Sequence, residues 1–458
     1  MGFRKHKQLR AVSICLLGVF LTSNWGQAVH AAEAAKKDTG PEITLAGTIA
    51  FNAWMGGQKN KKKTTYKVGT PQEATEKGID DALNFSIDRA KIDFGVTDKI
   101  DDSYLKSWLF NMTLSGDRNA KTYSIVPRVY LGLFMKHSTV TLGNYPGVED
   151  TMSHGGAELM SATGGFASSA HTQFVSLTTG CYTRVTLMGD NSDATKIILQ
   201  SPRLWGVQFG VNYTPDSRLF GKKKRTSTTA ISALDLLYNK DLWGFGADYV
   251  DFVADNVKLS VSVTGVAGTP YAAPNVQDGD KKVQFYPTRG VGTGFVLDFD
   301  RFAFGVEGAW MAQTAQIKGD YAGVTPPVVS GATALSTKNY KAGDAAGPWF
   351  VDAAFSVFLN NETRLVLGYY YSQRATGFSS DDGSKIYAKA HVVNLSLTYQ
   401  LAKSVQTYIE GFYHNTKNPA APYEVSHLLT RAPDLKSWDF NKDEQSAWTL
   451  VMGIRASF

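Results

Sequence analysis

The chain has 458 residues, with 47 Lys and Arg against 41 Asp and Glu for a formal net charge of +6, two cysteines, and 25 Phe, 21 Tyr and 9 Trp. Its mean hydropathy is -0.19, and beyond the first apolar run no segment approaches the roughly 18 consecutive apolar residues that a membrane-spanning helix needs. Such a chain can cross a bilayer only as strands of a closed barrel, because only helices and closed barrels satisfy their backbone polar groups in lipid.

The N-terminus carries Arg4, Lys5, Lys7 and Arg10, then an apolar run from Ala11 to Leu21, then small residues with Val29 and Ala31 at a cleavage spacing. This reads as a secretory signal peptide over residues 1–31, leaving a mature barrel domain over 32–458. Removing the four basic residues lowers the net charge from +6 to +2, so the basic balance does not point to nucleic acid. Cys15 leaves with the leader, and Cys181 then has no intramolecular partner for a disulfide.

Ile43 to Trp54 alternates, with Ile43, Leu45, Ile49 and Phe51 on one face, which predicts the first strand. A lysine-rich loop follows, containing Lys59, Lys61, Lys62 and Lys63. In Leu83 to Thr97 the apolar Ile92, Phe94 and Val96 face one way while Arg89, Lys91 and Asp93 face the other, and Asp88 is out of phase, so a bulge is expected near Asp88 and Arg89. A short turn leads into Tyr104 to Leu114, whose apolar face is Trp108, Phe110, Met112 and Leu114. Long loop, strand, short turn, strand is the rhythm of an outer-membrane barrel, with the long loops outside the cell.

Further strands are expected at Val126 to Phe134, Thr139 to Asn144, Ile197 to Gln200 and Val207 to Pro215, separated in the middle by a loop of about 45 residues. The rest follow at Phe245 to Phe252, Val257 to Val266, Gly290 to Leu297, Phe302 to Gln313, Trp349 to Leu359, Arg364 to Arg374, His391 to Leu401 and Val405 to His414. The last is Trp448 to Phe458, with Trp448, Leu450, Met452 and Ile454 on one face and an aromatic at the chain end. Ile231 to Tyr238 would make a seventeenth strand, which an even-numbered barrel does not allow, so it is assigned to the fourth outer loop or the strand after it.

The run Pro127-Arg128-Val129-Tyr130-Leu131-Gly132-Leu133-Phe134, followed by Thr139-Val140-Thr141-Leu142-Gly143-Asn144, resembles the fourth and fifth strands of the Gram-negative general diffusion porins. Asp190-Asn191-Ser192, Ser201-Pro202, Gly206 and Val207 to Pro215 are similar to the stretch after that family's constriction loop, and the terminal strand resembles its assembly signal. The chain departs from the family at Pro127, where a wall arginine usually stands, and it lacks the Pro-Glu-Phe-Gly-Gly loop motif. The resemblance implies an all-β transmembrane antiparallel barrel of sixteen strands whose third outer loop, Tyr145 to Asp193, folds inward and narrows the pore. It implies Glu149, Asp150 and Glu158 on the loop facing Arg89, Lys91, Arg128 and Lys196 on the wall, a transverse field across an aqueous slit. It further implies a homotrimer in the outer membrane, with membrane lipid and lipopolysaccharide as neighbours and small hydrophilic solutes and ions as cargo. A substrate-selective channel and a barrel acting as adhesin or receptor are the alternatives.

The basic run Lys222 to Arg225 suits either lipopolysaccharide phosphates or a solvated loop tip. Asp439-Phe440-Asn441-Lys442-Asp443 has the first ligand spacings of a calcium loop but lacks its glycine and its closing glutamate, so no metal is expected. No cofactor is expected either. Ser168, Ser169 and His171 lie close in sequence without the spacing or motif of a catalytic serine site, and no hydrolase or phosphate-loop signature is present.

Overall fold

The computed structural model describes residues 41–60, 63–67, 70–74, 84–100, 104–117, 124–125, 128–160, 162–163, 166, 194–217, 239–270, 277–278, 281–282, 287–312, 347, 349–379, 385–417 and 444–458. The leader, Ser168, Ser169, His171, Cys181, Lys222 to Arg225, Ile231 to Tyr238 and Asp439 to Asp443 lie outside the described residues.

Sixteen long strands run in chain order. They are β1 (Glu42–Asn60), β2 (Asn84–Lys99), β3 (Leu105–Asp117), β4 (Arg128–Met135), β5 (Thr139–Asn144), β6 (Thr195–Gln200), β7 (Val207–Asp216) and β8 (Asn239–Ala254), followed by β9 (Val257–Pro270), β10 (Thr288–Phe299), β11 (Phe302–Trp310), β12 (Trp349–Phe358), β13 (Thr363–Ser379), β14 (Lys385–Ala402), β15 (Val405–Lys417) and β16 (Glu444–Ser457). Each pairs antiparallel with its sequence neighbours, and β1 pairs with β16 from Thr48↔Ser457 to Asn60↔Gln445, which closes the sheet and leaves no edge. A two-residue piece, Ser124–Ile125, pairs with the end of β3 ahead of β4. Among the described residues no helix is long and apolar enough to cross a membrane.

Alternation decides which side of each strand faces where. In β14, Asn394, Ser396 and Thr398 are buried while Leu395 and Leu397 are 53% and 38% exposed. That is the reverse of a protein meant for water, in which exposed leucines would be a liability, and it is the expected order when the outer wall meets lipid. Trp243, Trp310, Trp349, Tyr369, Tyr413 and Trp448 are exposed towards the long-loop end, and Phe252, Phe302, Phe358 and Tyr399 towards the short-turn end. These form two aromatic belts at the levels of the headgroups.

The bulge falls where the broken alternation placed it: Ala50 pairs with Arg89 but Phe51 with Ile87, leaving Asp88 as the extra residue. The hairpin of β13 and β14 is longer than its apolar residues suggested, with pairing out to Ser379↔Lys385. Beyond the bilayer the ladder continues because backbone hydrogen bonds do not require apolar side chains, so the hydrophobic pattern gave no sign of the extension.

The lumen is not wholly aqueous. Leu159, Met160 and Phe166, from the segment after β5, form a buried apolar cluster with the inward-facing Phe350, Val366, Tyr370 and Phe412. The loop covers these apolar wall positions.

Candidate pore constriction

The segment after β5 starts at Tyr145, whose ring packs edge-on to Tyr130 at 4.6 Å. A short turn of helix, α1 (Val148–Thr151), then sits against β7 and β8. Val148 N donates to Asn212 Oδ1 at 2.7 Å, and Val148 and Met152 are buried with Ile198. The wall makes room with glycine: a Cβ on Gly210 would stand 2.7 Å from Val148 Cγ1, and one on Gly246 3.0 Å from Met152 Sδ.

The chain next turns along the inner wall. His154 N donates to Ser262 Oγ of β9 at 2.9 Å, and Ser153 Oγ donates to Glu307 Oε1 of β11 at 2.9 Å. A second short helix, α2 (Gly156–Leu159), approaches β12 so closely that a Cβ on Gly156 would lie 2.7 Å from both Ala354 N and Asp352 Oδ1. Phe166 packs on Tyr370 of β13 at 5.5 Å between ring centres. Thr163 donates to Glu410 Oε2 of β15 from its backbone N, at 3.0 Å, and also from its hydroxyl. Arg455 of β16 donates to the carbonyl of Ala162 and lies over the Tyr408 ring at 5.7 Å, and the Tyr408 hydroxyl donates to Asn52 of β1. The described loop residues thus touch inward-facing side chains from β7 round to β16.

Four charged or titratable groups, His154 among them, form a cluster here. His154 Nδ1 is 2.8 Å from Glu158 Oε1 and its Nε2 3.2 Å from Asp248 Oδ2, while Arg203 Nη2, from the turn between β6 and β7, lies 2.6 Å from the same Asp248 oxygen. Burial opposes a charge on this imidazole, but the hydrogen bonds to Asp248 and Glu158 outweigh it and push His154 up to about 9. None of these partners was legible as a unit, because Asp248 is 94 residues from His154 in the chain.

Of the seven charged residues expected at the constriction, Asp150 is exposed on α1 and Glu158 has a side chain 42% exposed. Glu149 has no exposure: its carboxylate lies between the loop and β8, against Asn212 and in the space a side chain at Gly244 would need. Lys196 is likewise buried, with Nζ donating to the Tyr145 carbonyl at 2.8 Å, so it fastens the root of the loop. The resemblance implies that both face the aqueous slit. Here the loop is laid over them.

Across the lumen, Lys91 Nζ lies 2.7 Å from Asp93 Oδ2, and Asp93 accepts from the Thr113 hydroxyl. Arg128 pairs with Thr113 across β3 and β4 and points inward by its phase with Tyr130. Arg89 stands in β2 beside the bulge, with its side chain outside the described residues. Asp93 was expected to point inward but not to neutralise Lys91.

A family model described as Gram-negative porin matches residues 27–419. Among solved structures, the fold is similar to an anion-selective porin from Comamonas acidovorans, at a TM-score of 0.52, 14% identity and coverage of 92% of this chain and 100% of that one. It is also similar to Salmonella typhi OmpF in complex with daunomycin, at 0.49, 12% identity, and 91% and 97% coverage. The outer membrane channel DcaP of Acinetobacter baumannii scores 0.48 at 10% identity, with 93% and 99% coverage. No curated protein matches the sequence.

Proposed function

The chain belongs to the Gram-negative porin family, and we propose how its pore is built and what sets its ion preference. It is an outer-membrane barrel that lets small hydrophilic solutes and ions diffuse passively. One observation carries the finer reading: the described part of the third loop, up to Phe166, runs along β7 to β16, so we place the aqueous path between it and the wall of β1 to β5. Asp150 and Glu158 form the loop side of that slit and Lys91 and Arg128 the opposite side, where the sequence also puts Arg89. Glu149 and Lys196 act by holding the loop in place.

The local charge balance is close to even, since Asp93 offsets Lys91 and His154 offsets Glu158. Ion preference in a slit only a few ångströms wide follows this local balance and not the net charge of the chain. The leader over residues 1–31 and a homotrimeric assembly complete the proposal, the second resting on the family's habit. Planar-bilayer recordings with a panel of salts and sugars test the pore: conductance linear in salt, without saturation by any sugar, is expected. Saturation by one solute class would replace it with a substrate-selective channel.

A further inference from the structure

At the long-loop edge of its apolar band, the outer wall carries a basic pair. Lys389 of β14 and Lys417 of β15 are direct cross-strand partners. Both share the outward phase of Val393, Leu395 and Tyr413, which are 41%, 53% and 51% exposed. Like charges directly opposite one another destabilise a sheet. Among the described residues neither lysine has an acidic side chain in salt-bridge range. The backbone register places Glu444 opposite Lys417 on its other side.

The height of the pair is fixed by the ladder. Lys389 pairs with Gln373 and Gln373 with Trp349, so the lysines stand on the rung of a belt tryptophan at the long-loop end. One rung nearer the membrane centre, His391 lies with its ring 4.7 Å from Tyr371 and its Nδ1 2.8 Å from the Tyr369 hydroxyl. Tyr371 in turn packs on Trp349 at 5.1 Å. The surface is therefore two cations above an aromatic shelf, at the depth where headgroups meet acyl chains.

We infer that this face of β12 to β15 binds the phosphorylated headgroup of an outer-leaflet lipid, with Lys389 and Lys417 sharing a phosphate and Trp349, Tyr369, Tyr371 and His391 supporting the lipid below it. The inference rests on the outer-membrane reading and adds a residue-level site to it. An anion between the two lysines removes the repulsion that the bare pair carries, so the site gains from binding on both counts.

The test is native mass spectrometry of the full chain in detergent, titrated with diphosphoryl lipid A, with dephosphorylated lipid A, and with inorganic phosphate. The diphosphoryl form is expected to bind, and the combination of Lys389→Gln with Lys417→Gln to weaken it about thirtyfold. Lys389→Arg with Lys417→Arg is expected to retain it, which keeps the inference testable if the glutamine pair folds poorly. Equal binding by the folded glutamine variant, loss of the phosphate preference in the arginine variant, or equal binding of the dephosphorylated lipid would overturn the site. Lysine-dependent binding of inorganic phosphate alone would overturn its assignment to a lipid. Single-channel conductance of the glutamine variant should match the parent, because these residues face away from the lumen. A parent that conducts no ions would count against the pore and leave the lipid result standing.

Discussion

Glu410 Oε2 accepts a hydrogen bond from the backbone N of Thr163 at 3.0 Å, joining the fifteenth strand to the third loop across 247 residues of sequence. The other carboxylate oxygen accepts from Asn394 Nδ2 at 2.9 Å, so the buried glutamate is shared between wall and loop. Replacing it with alanine leaves a buried backbone donor without its acceptor, at a cost of about 1–3 kcal/mol. Glu410→Ala should therefore free the far end of the loop, seen as higher and noisier open-channel current and a lower melting temperature. Unchanged current would mean that the loop is held by its apolar packing alone.

The different placement of neighbouring residues gives a sharper test of the slit. Asp150→Asn, with or without Glu158→Gln, is expected to shift the zero-current potential in a salt gradient towards anion preference. Glu149→Gln should barely move it, since that carboxylate is covered. Arg128→Ala should shift it towards cations. Equal shifts from Glu149→Gln and Asp150→Asn would show that both face water in the open channel.

His154 makes a pH prediction. Its folded value, raised to about 9 from the usual 6.5, means that the stability it contributes is fully present below about 6.5 and is lost as pH rises through about 9. Over the same range the loop loses one positive charge beside Glu158 and Asp248, so the channel should become more cation-preferring. His154→Gln removes the alkaline transition in selectivity. Persistence of that transition in the variant would assign it to another group.

The outer wall is tested on β14. A charge at Leu395, which is 53% exposed midway along the strand, would face hydrocarbon at a cost of about 2–4 kcal/mol. Leu395→Arg should deplete the folded form from outer-membrane fractions, while Leu395→Phe should not. Normal levels of both would place this face in water.

How far the sequence could be read depended on distance along the chain. Strands at Ile43, Phe302 or Trp448 were visible because alternation is a property of adjacent residues, and the surplus residue at Asp88 showed itself as a break in that same period. The ends of β13 and β14 were missed because past the bilayer nothing selects apolar side chains, although the ladder continues.

The sequence by itself therefore determined a closed antiparallel barrel of sixteen strands, its apolar outer face and the position of its long third loop, since each follows from local periodicity and from the need to satisfy every backbone group in lipid. Only the tertiary structure decided what each charge does. Glu149 and Asp150 are neighbours with the same chemistry, yet one is sealed against β8 and the other is exposed, because the orientation of a single helical turn is set by packing against Asn212, Gly210 and Gly246, some sixty or more residues away. Lys196 is polar by composition and structural by position for the same reason. Long-range packing in three dimensions assigns those roles, and no local period encodes it.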